Sequence, residues 1–157
     1  MSSMKRKKIV EKYLTKLVNH LNLQDWEINV VYVPHDHTDN VGVGMETDVD
    51  ISYLRSEIRC YPICDKLTEK QIKHILCHEL CHIITEPMYS LCRANVNPHL
   101  YSLVEEQREQ ETERIARIAL QALTHPNNPE SKKEICIECG SDEDVMQSQC
   151  VDCRVSY

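Results

Sequence analysis

Apolar positions at helical spacing open the chain. Ile9, Val10, Tyr13, Leu14, Leu17, Val18 and Leu21 recur every three or four residues from about Lys7 to Leu21, which predicts an amphipathic helix with one face turned to a core. Asn22 to Asp25 turn the chain. The period then changes: Trp26 to Val33 is rich in β-branched residues and stopped by Pro34, and reads as a strand. Val41 to Met45, Asp48 to Leu54 and Glu57 to Ile63 carry shorter alternating pieces, for which two or three short antiparallel strands are expected. Gly42 and Gly44 predict a bulge or a close approach of backbone.

From Leu67 the helical period returns. Ile72, Ile75, Leu76, Leu80, Ile83 and Ile84 form the apolar stripe of a helix expected from about Glu69 to Glu86. Thr68 with Gln71 reads as a capping box, Leu67 and Ile72 are placed to staple the entry, and Pro87 is expected to end the helix. Asn97-Pro98, an N-cap and a first-turn proline, open a second long helix to about Leu123. The class this implies is α+β over residues 1–124: an opening helix, a small, mostly antiparallel sheet, a central helix and a long C-terminal helix. His125-Pro126-Asn127-Asn128-Pro129 marks residues 125–133 as a linker, and a cysteine-bearing module follows over residues 134–157.

Composition narrows the setting. With 157 residues there is room for one domain with a real core plus one small module, and with no Phe and a single Trp that core must come from Ile, Leu, Val, Tyr and Met. A net charge of −7 argues against nucleic acid or an anionic membrane as a general partner. Lys5, Arg6, Lys7, Lys8, Lys12 and Lys16 make the first helix locally basic and are read as a solvated face. No apolar signal core follows the N-terminal charges and no run of about 18 apolar residues occurs, so a cytoplasmic protein without a membrane span is expected. Nine cysteines in a reducing compartment serve metals or cores rather than disulfides.

The chemistry centres on His78-Glu79-Leu80-Cys81-His82. On a helix the two histidines stand one turn apart on one face, so both can reach one metal ion. Glu79, on the neighbouring stripe, can take a proton without being a ligand, as a general base must. Its apolar neighbours Ile75, Leu76 and Ile83 should raise its proton affinity. A third ligand has to come from elsewhere. On the long helix Glu109, Glu113, Ala116, Leu120 and Leu123 share a face, which makes Glu109 the first choice, with Glu105, Glu106 and Glu111 as alternatives. Glu113, one turn on, is placed to accept a hydrogen bond from the other nitrogen of a ligating histidine. His74 and Glu86 lie too far along the helix to share the same ion. His35-Asp36-His37 is read as a polar turn, and Cys60, Cys64, Cys77, Cys81 and Cys92 as core filler.

Near the C-terminus, Cys136-x-x-Cys139 and Cys150-x-x-Cys153 are two knuckles ten residues apart. Four thiolates at this spacing make a closed tetrahedral zinc site, and so short a piece could not fold on apolar burial alone. Asp142, Glu143, Asp144 and Asp152 favour a protein contact over nucleic acid for this module.

On these residues the chain resembles a zincin metallopeptidase of the gluzincin type, in which HExxH on one helix is completed by a glutamate from a later helix. Glu109-x-x-x-Glu113 is similar to that family's ligand and the acid four residues on, although position 113 is often Asp there. Over residues 7 to 124 the chain also resembles the small metallopeptidases of phages and prophages, including Glu113-Arg114-Ile115-Ala116 on the last helix. The resemblance implies a minimal zincin fold joined to a zinc ribbon, two zinc ions per chain (one catalytic, one structural), and a peptide or protein substrate. No later histidine or tyrosine matches that family's transition-state stabiliser, so the partner of the oxyanion is unassigned, with Tyr89, His99 and Tyr101 as candidates. Two other readings stand beside it: a SprT-like protease associated with DNA repair, for which a third histidine soon after His82 is missing, and a zinc-bound interaction module without turnover.

Overall fold

The computed structural model describes residues 3–34 and 43–124. The loop holding His35 and His37, Gly42, the linker 125–133 and the module 134–157 with Cys136, Cys139, Cys150 and Cys153 lie outside the described residues. Of two compact units, Met1–Ala119 and Leu120–Tyr157, the first holds every residue of the site described below. In chain order the described elements are helix α1 (Ser3–His20), strands β1 (Glu27–Tyr32), β2 (Met45–Asp50) and β3 (Arg55–Cys60), helix α2 (Glu69–Asn95) and helix α3 (Tyr101–Thr124). Short 3-10 turns at Pro62–Lys66 and Pro98–Leu100 precede the last two helices. The class is α+β.

The sheet is mixed rather than mostly antiparallel. Its order is β1-β3-β2, with β1 parallel to β3 from Glu27 opposite Arg55 to Tyr32 opposite Cys60, and β2 antiparallel to β3 from Met45 opposite Cys60 to Asp50 opposite Arg55. Composition gives the reason. β3 buries Ser56, Ile58 and Cys60, so it takes the centre. β2 carries Glu46, Asp48 and Asp50, charges that suit an edge. The expected strand over Asp48–Leu54 is also corrected: β2 stops at Asp50, and residues 51–54 turn the chain with Leu54 at φ 51°, in the left-handed region.

Gly44 lies where backbone runs tight against a helix. A Cβ there would come within 3.0 Å of Ile75 Cδ1, and the Gly44 carbonyl accepts from Cys64 Sγ at 3.0 Å and from the Tyr61 amide at 3.0 Å. This packing pins the start of β2 against α2.

α2 begins with a complete capping box. The Thr68 hydroxyl accepts from the Gln71 amide, and Gln71 Oε1 accepts from the Thr68 amide at 2.9 Å. Its expected end at Glu86 is wrong, for the helix runs through Pro87 to Asn95. Pro87 itself is exposed, and its ring removes the amide partner of the Ile83 carbonyl one turn back. Contacts with α3 hold the continuation in place: Arg108 pairs with Glu86 at 2.8 Å, and the Tyr89 hydroxyl donates to Glu105. The second long helix starts as expected at Asn97, whose side chain accepts from the His99 amide at 3.1 Å, through one 3-10 turn.

The core gathers Val10 and Leu17 from α1, Ile58 and Cys60 from β3, Ile72, Leu76, Leu80 and Ile83 from α2, and Ala116 and Ala119 from α3. Ile84, expected on the buried stripe, is 40% exposed. Arg6, expected on the solvated basic face, is buried at 1% exposure and donates to the Val33 carbonyl at 2.7 Å, with Asp65 3.8 Å away. It stands three, four and seven residues before Ile9, Val10 and Tyr13, and so shares their inward face.

Candidate metal centre

α2 supplies the first half of the site. Leu76, Cys77, Leu80 and Ile83 bury one side of this helix, and that anchorage holds His78, Glu79 and His82 toward a cleft of about 380 Å³ between α2, β2 and α3. Val43, Met45, Glu46, Thr47, Glu105, Arg108 and Glu109 complete its wall. The His78 and His82 rings meet edge to face, with centroids 4.8 Å apart. One ligand atom from each of His78, Glu79 and His82 lies within 4.8 Å of the other two.

α3 brings a carboxylate to the same place. Glu109 Oε2 is 3.4 Å from His78 Nε2, and Glu109 Oε1 is 3.6 Å from His82 Nε2. Of the alternatives, Glu105 lines the cleft but is engaged by Tyr89 and Arg108, while Glu106 pairs with Gln110 and Glu111 with Arg114. The buried face of α3 runs along Thr112, Ala116 and Ala119, a little rotated from the face expected through Glu109, Glu113, Leu120 and Leu123. Glu109 therefore sits at the margin, half exposed, where its carboxylate can reach over to α2.

Electrostatics separate the two carboxylates. Burial pushes the Glu79 carboxyl up from its ordinary value; the Thr47 hydroxyl and His78 work against that rise, and Glu109 and Glu46 add to it. Burial, with Arg108 and His78 close by, pulls His82 down to about 3, so its ring is neutral near pH 7 and a lone pair is free for a ligand. His82 Nδ1 is buried and has no hydrogen-bond partner among the described residues. His78 differs, because its Nδ1 lies 3.2 Å from Glu113 Oε2.

The donor set fits a small divalent ion. Two donors on a tetrahedral zinc, each bonded at about 2.0–2.1 Å, lie about 3.3 Å apart. The separations of 3.4 and 3.6 Å between Glu109 and the two imidazoles are close to that and long for hydrogen bonds. Two neutral imidazoles and one carboxylate are also the donor chemistry of an open zinc site.

Some neighbours were not singled out in the sequence. Arg108 is held by Glu86 at 2.8 Å and Glu105 at 3.2 Å, with the Tyr89 ring 4.4 Å from its guanidinium carbon. Being adjacent to Glu109 in sequence was its only signal. Thr47 sits on the acidic edge strand, where nothing local marks it. Tyr89, His99 and Tyr101 are absent from the cleft wall. Comparison of the chain with protein families, with curated proteins and with solved structures found no match.

Proposed function

We propose that the chain is a zinc-dependent peptidase, with a minimal zincin fold over residues 1–124 and a zinc ribbon over residues 134–157. The observation that carries this reading is the convergence of His78 Nε2, His82 Nε2 and the Glu109 carboxylate beside a buried second carboxylate. His78, His82 and Glu109 would hold the catalytic ion, and Cys136, Cys139, Cys150 and Cys153 a structural one. Zinc in such a site supplies a Lewis acid and lowers the pKa of a water to about 7.

The chain's own groups do the rest. Glu79, 7% exposed and more basic than an ordinary carboxylate, takes the proton from the attacking water as its oxygen bonds to the scissile carbonyl carbon. As the carbon–nitrogen bond breaks, Glu79 returns that proton to the leaving amine. Glu113 accepts a hydrogen bond from His78 Nδ1–H, which leaves Nε2 with its lone pair toward Glu109. Met45, Glu46 and Thr47 of the edge strand β2 line the cleft, and the outer side of β2 pairs with no strand among the described residues, so an extended peptide can pair there while its carbonyl faces Glu79. A peptide or unfolded protein is the substrate class that fits. The acidic residues of the ribbon suit a protein partner.

Metal analysis of the full chain should find two zinc ions. Glu79→Gln should keep both and lose cleavage of a denatured protein such as casein by about 10²–10⁴-fold. A chain that holds zinc at His78 and His82 but cleaves no peptide before or after that change would be a binding module, and the peptidase reading would fail.

A further inference from the structure

Glu113 is held by more than His78. Its Oε2 lies 3.1 Å from His74 Nε2 as well as 3.2 Å from His78 Nδ1, while its Oε1 accepts from Arg117 Nε at 2.6 Å. Three donors from two helices thus meet on one carboxylate. Burial pushes Glu113 up, but the hydrogen bonds from Arg117, His74 and His78 win and hold its carboxyl below the usual range. Neither His74 nor Arg117 belongs to the core: they are 39% and 68% exposed.

We infer that His74 and Arg117 are positioning residues of the metal centre, acting through Glu113 to keep its Oε2 against His78 Nδ1. The inference rests on the zinc reading above. A free glutamate on a helix surface samples several rotamers, and only some of them reach the neighbouring helix. Arg117, one turn along α3, fixes one oxygen from outside. His74, one turn before His78 on α2, engages the oxygen that faces His78 and spans the gap between the helices. The His78 ring itself stands between two carboxylates, Glu113 at Nδ1 and Glu109 at Nε2 at 3.4 Å. Whichever is better held takes the ring proton. With Glu113 clamped from both sides, the proton stays on Nδ1 and Nε2 remains a ligand atom. Without the clamp the proton can move to Nε2, where it blocks the metal.

The test has a metal-free arm and a metal arm, both on the full chain. In the metal-free protein, nitrogen chemical shifts of the His78 ring should report the Nδ1–H tautomer. His74→Leu with Arg117→Met should turn that into a mixture containing Nε2–H, whereas His74→Gln with Arg117→Lys, which keep a donor at each place, should not. Cobalt binding at the histidine–carboxylate site, followed by its visible bands apart from the thiolate charge-transfer of the cysteine site, should weaken about tenfold in the Leu/Met double variant. In a Glu113→Ala background the same two changes should have no further effect. Unchanged tautomer and affinity, or an equal loss with Glu113 absent, would overturn the inference while leaving the zinc reading intact. If His78→Ala and His82→Ala did not weaken cobalt binding, the zinc reading would fall and this inference with it.

Discussion

Two residues show how far side-chain identity carries and where it stops. Arg6 stands among five lysines, and its charge alone suggests solvent; its spacing from Ile9, Val10 and Tyr13 says otherwise, and the structure follows the spacing. With the guanidinium buried near Asp65, Arg6→Ala should cost on the order of 3 kcal/mol, read as a lower denaturant midpoint, because it removes both the buried ion pair and the bond to the Val33 carbonyl. Leu54 carries no such clue. A leucine at φ 51° breaks the expectation that left-handed turns announce themselves with Gly or Asn, so Asp48–Leu54 read as strand. Leu54→Asn should relieve that strain and raise stability by about 0.5–1 kcal/mol in equilibrium unfolding, provided the Glu27 amide keeps its 2.8 Å bond to the residue 54 carbonyl. The candidate site was the more legible part. Helical geometry requires His78 and His82 to share a face, and the apolar neighbours of Glu79 require its burial. Arg108 and Thr47 were not legible, since each comes to the cleft through the packing of a different element.

Among elements, helix starts were written in local chemistry and helix ends were not. Thr68 and Gln71 form their box from four consecutive residues, and Asn97 caps within two. The passage of α2 through Pro87 depends on partners about twenty residues away, Glu105 and Arg108, which no local pattern contains. Pro87→Ala should restore one backbone hydrogen bond and stabilise the protein by about 1–3 kcal/mol, read as an upward shift of the thermal midpoint. A drop instead would mean that the present course of the helix is needed for its contacts with α3. The expected antiparallel pairing failed for a similar reason: alternation reveals which face of a strand is apolar but not which strand lies beside it or in which direction. The acidic β2 sequence did contain the clue, since three carboxylates in six residues belong on an edge.

For the molecule as a whole, α1 is tied to the start of α2 at Glu69, which accepts from Lys12 Nζ at 2.6 Å and from the Tyr13 hydroxyl at 2.6 Å. Lys12, and then Tyr13, hold the Glu69 carboxyl below its ordinary value. A depressed acid stabilises the fold above its unfolded pKa and stops doing so as pH falls through the folded one. The stability difference between the native chain and Glu69→Gln should therefore be present at pH 7, shrink below about pH 4.5, and diminish in high salt because the pair is exposed. Equal differences at pH 7 and pH 3 would show that the tie contributes through packing alone. The α+β class was legible at this scale because two periods, helical and alternating, divide the chain cleanly. Among the described residues no helix is long and apolar enough to cross a membrane.

One arrangement limits how this protein can change. Leu76, Cys77, Leu80 and Ile83 anchor α2 from within the same eight-residue window that carries His78, Glu79 and His82. A library that randomises this window would yield aggregated protein long before it sampled new selectivity. Variation that survives should instead collect on the opposite bank, at Val43 and Glu46, where shape and charge can shift while the anchored helix stays as it is.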